Sequence, residues 1–301
     1  MTAGHDEWAR LKFSERFFQC TGAAFQDLFS DLMEAAHPGE FIRVRAAGKT
    51  GDLKCDGYIL RTGALFQVYA PRNVETTLAD MVAKTNEDFA GALQHWGTKL
   101  RKWVFVHNDT DGQRAERVQV LADLVAANPT IAFEHWSKTD LLGVVLGLDK
   151  VGRTKFLGPE PEPKDFAHPP FALLAPLLKH IERTQTVFDT GPIREVPANK
   201  LAHNALSQPV TMFLQLGRRG DAVVEKFIAQ RPDPTYGQTL ASAFSAQYRT
   251  LRDAQYDSDD IFHGLTRFVG GDYQQSSAHQ AAIYCVLAYF FERCDIFEAT
   301  P

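Results

Sequence analysis

Apolar positions in the first half of the chain recur with two alternating periods. Over residues 21–36, Phe25, Leu28, Phe29 and Leu32 repeat at the three-to-four spacing of one helix face, and Pro38-Gly39 ends the run. Residues 41–46 (FIRVRA) predict a strand, and a hairpin follows with strands at 58–60 and 64–69 around a Thr62-Gly63 turn, closed by Pro71. Leu78, Val82, Phe89 and Leu93 predict a helix over 75–95, and residues 102–107 (KWVFVH) a compact apolar strand. Asn108-Asp109 and Asp111-Gly112 are loop chemistry. A helix over 113–127 follows, with Val118, Leu121, Leu124 and Val125 as its apolar face. A strand at 130–135 and a helix through Leu148, capped by Thr139 with Asp140 in its first turn, complete the series. The order α-β-β-β-α-β-α-β-α predicts an α/β domain, a mixed sheet flanked by helices.

Beyond residue 156 the pattern changes. Residues 157–170 (LGPEPEPKDFAHPP) hold five prolines and predict an extended linker with few internal contacts. No strand is predicted after it. Helices are expected at 171–183, 197–216, 221–229, 237–254, 259–268 and 275–293, with breaks at 190–192, 218–221, 231–234 and 269–272. The resulting division is an α/β domain over 1–156, a linker over 157–170 and an all-α domain over 171–301. Near the end, Ile283, Val286, Leu287, Phe290, Phe291 and Ile296, with Tyr284 and Tyr289 around them, read either as a buried central helix or as a partner-binding surface.

A length of 301 residues suits two domains. The net charge of −5 argues against bulk non-specific nucleic-acid binding and leaves room for a local basic groove. Arg43, Arg45, Lys49, Lys54, Arg72, Lys99, Arg101 and Lys102 are its candidates, though any soluble surface carries such residues. With no apolar run long enough to span a bilayer and no secretory block at the start, a cytoplasmic location is the expectation. Cys20, Cys55, Cys285 and Cys294 form no Cys-x-x-Cys pair and read as reduced, mostly buried thiols. The ten histidines show no metal spacing, and His95, His107 and His135 read as structural or exposed. Nucleotide-binding and hydrolase fingerprints (Walker A, Rossmann, Gly-x-Ser-x-Gly) are missing from the sequence.

The densest chemistry lies in residues 51–71, GDLKCDGYILRTGALFQVYAP. Asp52 and Asp56 sit where the first hairpin strand begins, and Gln67 and Tyr69 share one face of the second strand by alternation. Phosphodiester cleavage needs an activated water and positive charge at the leaving oxygen, which carboxylate-held Mg²⁺ supplies. Asp56 is the best metal ligand, and Gln67 offers a neutral carbonyl oxygen to the same ion. Asp52, or Gln26 in the first turn of the preceding helix, would assist. A lysine usually completes such a site. Here Tyr69 takes its position, and Lys84 on the following helix is the replacement. Read alone, Asp52 and Asp56 are ordinary turn acceptors, Lys84 a solvated helix residue and Tyr69 a packing residue.

Residues 21–148 resemble the PD-(D/E)xK restriction-endonuclease-like fold in a degenerate form. The resemblance rests on Gly22-x-x-Phe25-Gln26, on Gly51-Asp52-x-x-x-Asp56-Gly57-Tyr58, on Phe66-Gln67-Val68-Tyr69-Ala70-Pro71 and on WVFVHND at 103–109. The whole chain also resembles proteins of bacterial ABC-three-component systems, through VPANKLAHNAL at 196–206, the helix around Tyr248 and CVLAYFFERCDIFE at 285–298. The resemblance implies an antiphage or conflict-system component. It would act beside a separately encoded ABC or SMC-like ATPase and a small middle subunit, with an effector module joined to an assembly module. Two functions follow. One is a DNA endonuclease using Mg²⁺ or Mn²⁺. The other is an inactive nuclease-like scaffold that binds DNA or partner subunits, including a second copy of itself.

Overall fold

The computed structural model describes residues 2–45, 52–70, 78–109, 112–184, 200, 204–270, 276–293 and 296–297. The expected helix start at 75, the breaks at 190–192 and 271–272, and Gly51, Pro71, Lys49, Arg72, Asp111 and Cys294 lie outside the described residues. The chain divides into two units, one formed by residues 19–156 and the other by residues 1–18 together with 157–301.

The second of these units opens with α1 (Thr2–Gln19), an element the periodicity does not announce. Its pattern is broken because polar side chains occupy inward positions. Lys12 is fully buried, and its Nζ donates to Glu15 Oε1 at 2.9 Å and to Gln280 Oε1 at 3.1 Å. Burial of a lysine is tolerated when the charge is paired and its donors are met. Trp8 packs at 5.4 Å from the Phe213 ring. The segment 1–18, assigned by sequence to the α/β domain, therefore packs with the helical unit.

The α/β unit is built on a five-stranded sheet in sequence order. First on its chain is α2 (Ala23–Ala36), preceded by Gly22 at φ +56. Then come β1 (Phe41–Arg43), β2 (Gly57–Ile59), β3 (Ala64–Tyr69), α3 (Leu78–Trp96), β4 (Lys102–His107), α4 (Ala115–Ala127), β5 (Ala132–Trp136), α5 (Lys138–Gly147) and α6 (Lys150–Leu157). Strands β1 to β3 pair antiparallel, while β3–β4 and β4–β5 pair parallel. The turn between β2 and β3 uses Gly63 at φ +69, a conformation that favours glycine. On one sheet face Phe66 meets Phe29 of α2, Phe41 and Trp136. On the other, Leu65, Trp103 and Phe105 pack with Phe89 and Ala92 of α3, and Leu121 and Leu124 of α4 join them.

Two local expectations are corrected. Ser137, not Thr139, caps α5, because Ser137 and Asp140 form a reciprocal capping box. The apolar face of α4 is rotated from the expected one. Val118 and Val125 are about half exposed, at 52% and 47%, whereas Arg117 points inward at 2%.

The helical unit continues with α7 (Pro163–Ala167), α8 (Phe171–Thr184), α9 (Gln208–Gly217), α10 (Asp221–Ala229), α11 (Tyr236–Asp253), α12 (Ser258–Phe268) and α13 (Ser277–Arg293). The proline-rich segment is thus not an open linker. A capping box of Glu162 and Asp165 with Pro163 at the first turn starts α7, and Phe166 is fully buried. The helix expected over 197–216 is interrupted, since Ala205 turns the chain at φ +51 before α9 begins at Gln208. Helix α13 is the axis of the unit: Ile283, Tyr284, Val286, Leu287, Phe290 and Phe291 are all buried. It passes so close to α9 that a Cβ on Gly217 would lie 2.3 Å from the Tyr284 carbonyl oxygen.

Candidate functional site

The hairpin of β2 and β3 sets the geometry around Asp56. Leu53 and Lys54 both adopt positive φ, +56 and +57, and bend the chain ahead of β2. Asp52 holds this bend, accepting from the Lys54 main-chain N–H at 2.9 Å. Asp56 then enters the ladder, its own N–H donating to the Phe66 carbonyl at 2.9 Å. Its carboxylate takes the place of a main-chain acceptor at the ladder's end: Oδ2 accepts from the Val68 N–H at 2.7 Å, and Oδ1 accepts from Gln26 Nε2 at 3.1 Å. Gln26 therefore reaches Asp56.

Gly57 pairs with Phe66 across the hairpin, so the same register sets Asp56 beside Gln67. Gln67 is 7% exposed, and its Oε1 is buried without a hydrogen-bond donor. A buried amide oxygen left unmet is costly. Burial raises the Asp56 carboxyl to about 6; the nearby charges of Asp52 and Asp88 push it the same way, while the Val68 bond and Lys84 oppose them.

Asp88 of α3 was not singled out from sequence, and it organises the cations. It is 2% exposed and its Oδ1 accepts from Lys54 Nζ at 3.0 Å and Lys84 Nζ at 2.9 Å. Lys84 is thus close enough to act on Asp56, but its ammonium is bonded to Asp88. The i,i+4 spacing of Lys84 and Asp88 was the available signal. Tyr69, in the position of the missing lysine, stacks on Phe105 with centroids 6.0 Å apart and lies under the Arg117 guanidinium at 4.3 Å.

The proposed basic groove is not assembled by three of its candidates. Arg43 is held by Asp27, Asp31 and Glu34, Lys54 by Glu87 and Asp88, and Lys102 by Glu134. Cys55 and Cys285 are buried thiols outside any disulfide, each raised to about 12 chiefly by burial, and Cys20 is a half-buried thiol. His107, read as structural or exposed, is buried at 1% and held down to about 4, chiefly by burial, with His135 and Arg117 adding to it.

Among the described residues no group of three or more His, Cys, Asp or Glu side chains is arranged to hold a metal ion. The Asp56–Gln67 pair nevertheless fits a hard cation in its donor chemistry: one carboxylate and one buried amide oxygen lacking a donor. Mg²⁺ is commonly held by one or two protein oxygens and completed by water. Among the described residues no helix is long and apolar enough to cross a membrane.

No curated protein and no solved structure matches the chain. Residues 172–298, spanning α8 to α13, match C-terminal domain 10 of the ABC-three component (ABC-3C) systems, and that match supports a component of such a multi-protein system.

Proposed function

We propose that this chain is the effector-bearing component of an ABC-three component antiviral system, and that its α/β unit is a restriction-endonuclease-like module cleaving DNA with Mg²⁺. In this reading Asp56 and Gln67 hold the ion, with Mn²⁺ as an alternative. Lys84 supplies positive charge in place of the lysine replaced by Tyr69, while Gln26 and Asp52 fix and polarise Asp56. A divalent cation in phosphodiester cleavage supplies an acidified water and charge at the leaving oxygen. The observation that carries the reading is the buried Gln67 Oε1, without a donor, beside a carboxylate whose affinity for a proton is raised. Both features describe a place short of positive charge. The mixed sheet, an antiparallel hairpin followed by parallel strands, supports the fold assignment. The helical unit would assemble with a separately encoded ABC or SMC-like ATPase and a small middle component, in the cytoplasm, with a second copy of the chain as a further partner.

A second reading rests on a different observation. Tyr69 lies against Phe105 and under Arg117, and the Lys84 ammonium is bonded to Asp88. A site that has lost its lysine in this way suits an inactive nuclease-like scaffold binding DNA or partner subunits. Nicking of supercoiled plasmid by the wild type and by Asp56→Asn, with neighbouring gene products and Mg²⁺ or Mn²⁺, separates the two. Cleavage abolished by Asp56→Asn establishes the nuclease. Absence of cleavage in the assembled complex, with assembly intact, leaves the scaffold.

A further inference from the structure

The parallel strands β3 and β4 end side by side, with Tyr69 paired to His107 and, two residues earlier on β4, Phe105 paired to His135 of β5. Arg117 of α4 lies across this end of the sheet, its guanidinium carbon 4.3 Å from the Tyr69 ring centre and 5.1 Å from that of Phe105. Arg117 and His107 are buried, at 2% and 1% exposure. Gln113 joins them: its Oε1 accepts from Arg117 Nη1 at 2.6 Å, and its Nε2 meets His107 Nδ1 at 3.0 Å. The Asp109 main-chain N–H also donates to His107 Nδ1, at 3.2 Å. With Nδ1 accepting, the imidazole proton belongs on Nε2, a tautomer assigned from this network.

Three donors in this cluster are then unmet: Arg117 Nε, Arg117 Nη2 and His107 Nε2 are buried without a hydrogen-bond partner. Nε and Nη2 form the side edge of the guanidinium, the edge that takes the two oxygens of a carboxylate or phosphate together. Stacking on aromatic rings accounts for the flat placement of the guanidinium, and the Tyr69 hydroxyl interacts with it as well, but Nε and Nη2 meet no hydrogen-bond partner of good geometry. The carboxyl ends of parallel strands are also where open α/β sheets take ligands.

We propose that Arg117 and His107 form an oxyanion-binding site at the carboxyl end of β3 and β4, taking the phosphate or carboxylate group of a small ligand. The Arg117 side edge binds two oxygens, and His107 Nε2–H donates to the anion. Tyr69, Phe105 and His135 wall the site with rings. Tyr69 thereby has a role that does not depend on nuclease activity.

Calorimetry on the full chain, with inorganic phosphate and succinate as separate probes at fixed ionic strength, tests this directly. Saturable binding of at least one probe is expected, and Arg117→Met should weaken it at least tenfold. Binding of phosphate alone identifies a phosphoryl ligand; binding of succinate alone identifies a carboxylate. Should Arg117→Met fail to fold, Arg117→Lys retains a cation while removing the two-pronged edge and should weaken binding at least threefold. The His107 imidazole resonances give a second readout. Its neighbours are His135, Arg117, Asp109, Asp140 and Tyr69, and an added anion should shift its titration to higher pH. Absence of saturable binding to either probe, or binding undiminished in the Arg117 variants, overturns the proposal. Neither readout uses DNA cleavage, so failure of the nuclease reading leaves this result intact.

Discussion

Replacing Asp56 by asparagine should stabilise the protein at neutral pH. The folded state raises the Asp56 carboxyl from an ordinary 3.8 to about 6, which corresponds to about 3 kcal/mol at about 1.4 kcal/mol per pH unit. The folded state binds this proton more tightly than the unfolded chain does. The contribution is therefore fully present below about pH 4, is lost as pH rises through about 6, and stays lost above it. Asparagine carries no charge to desolvate. Its Oδ1 can accept from the Val68 N–H, and its Nδ2 can donate to Gln26 once that amide flips, so both bonds at Oδ1 and Oδ2 have replacements. Imperfect geometry takes back part of the gain, and an increase of about 1–3 kcal/mol is expected at pH 7.5. Urea denaturation followed by tryptophan fluorescence, at pH 4.5 and 7.5, measures it. Wild type and variant should converge at the lower pH and separate at the higher. An Asp56→Asn protein less stable than wild type at pH 7.5, or a difference that does not change with pH, would refute the electrostatic account. In the same assay, millimolar Mg²⁺ should stabilise the wild type and leave Asp56→Asn unchanged if the ion binds where the nuclease reading puts it.

Other outcomes follow from the packing. Gly217→Ala would drive a Cβ into the Tyr284 main chain at 2.3 Å, and a backbone neighbour cannot step aside, so a loss of about 1–3 kcal/mol is expected in thermal or urea unfolding. Arg43→Met removes the cation shared by Asp27, Asp31 and Glu34. Asp27 is exposed and Asp31 and Glu34 are partly so, which limits the loss to about 1 kcal/mol, shrinking further with added salt. Cys55 and Cys285, both held near 12 by burial, should resist a thiol reagent at pH 8 in the native protein and react only after denaturation, as mass spectrometry of labelled peptides would show.

The elements of the α/β unit were legible because their faces are chemically simple. Phe25, Leu28, Phe29 and Leu32 all point one way on α2, and residues 64–69 form an apolar strand that a glycine turn opens. Pattern reading failed where a polar side chain takes an inward position. Lys12 and Glu15 disguise α1, and Arg117 shifts the buried face of α4 away from Val118 and Val125. It also failed at residues 157–170, where proline density suggested an extended chain. Proline at the first helical turn starts a helix as readily as it ends one, and Pro163 does so ahead of the buried Phe166. At the candidate site, Asp56 and Gln67 could be chosen from residue type and strand alternation, and Gln26 from the resemblance carried by Gly22-x-x-Phe25-Gln26. Asp88 was missed, because its i,i+4 spacing from Lys84 is a weak signal and a carboxylate on a helix looks solvated until the fold brings Lys54 to it as well.

The packing of α1 with residues 157–301 makes the α/β unit an insertion within the helical unit rather than a domain joined in series. Its chain enters after residue 18 and leaves at residue 156, and both ends continue into the same folded body. An inserted module of this kind is exchanged by cutting the chain twice. A fragment starting at residue 157 would lack α1, exposing the partners of Trp8 and leaving Gln280 without the Lys12 ammonium. The natural unit for exchange is thus the interior segment, with the first eighteen residues retained as part of what receives it.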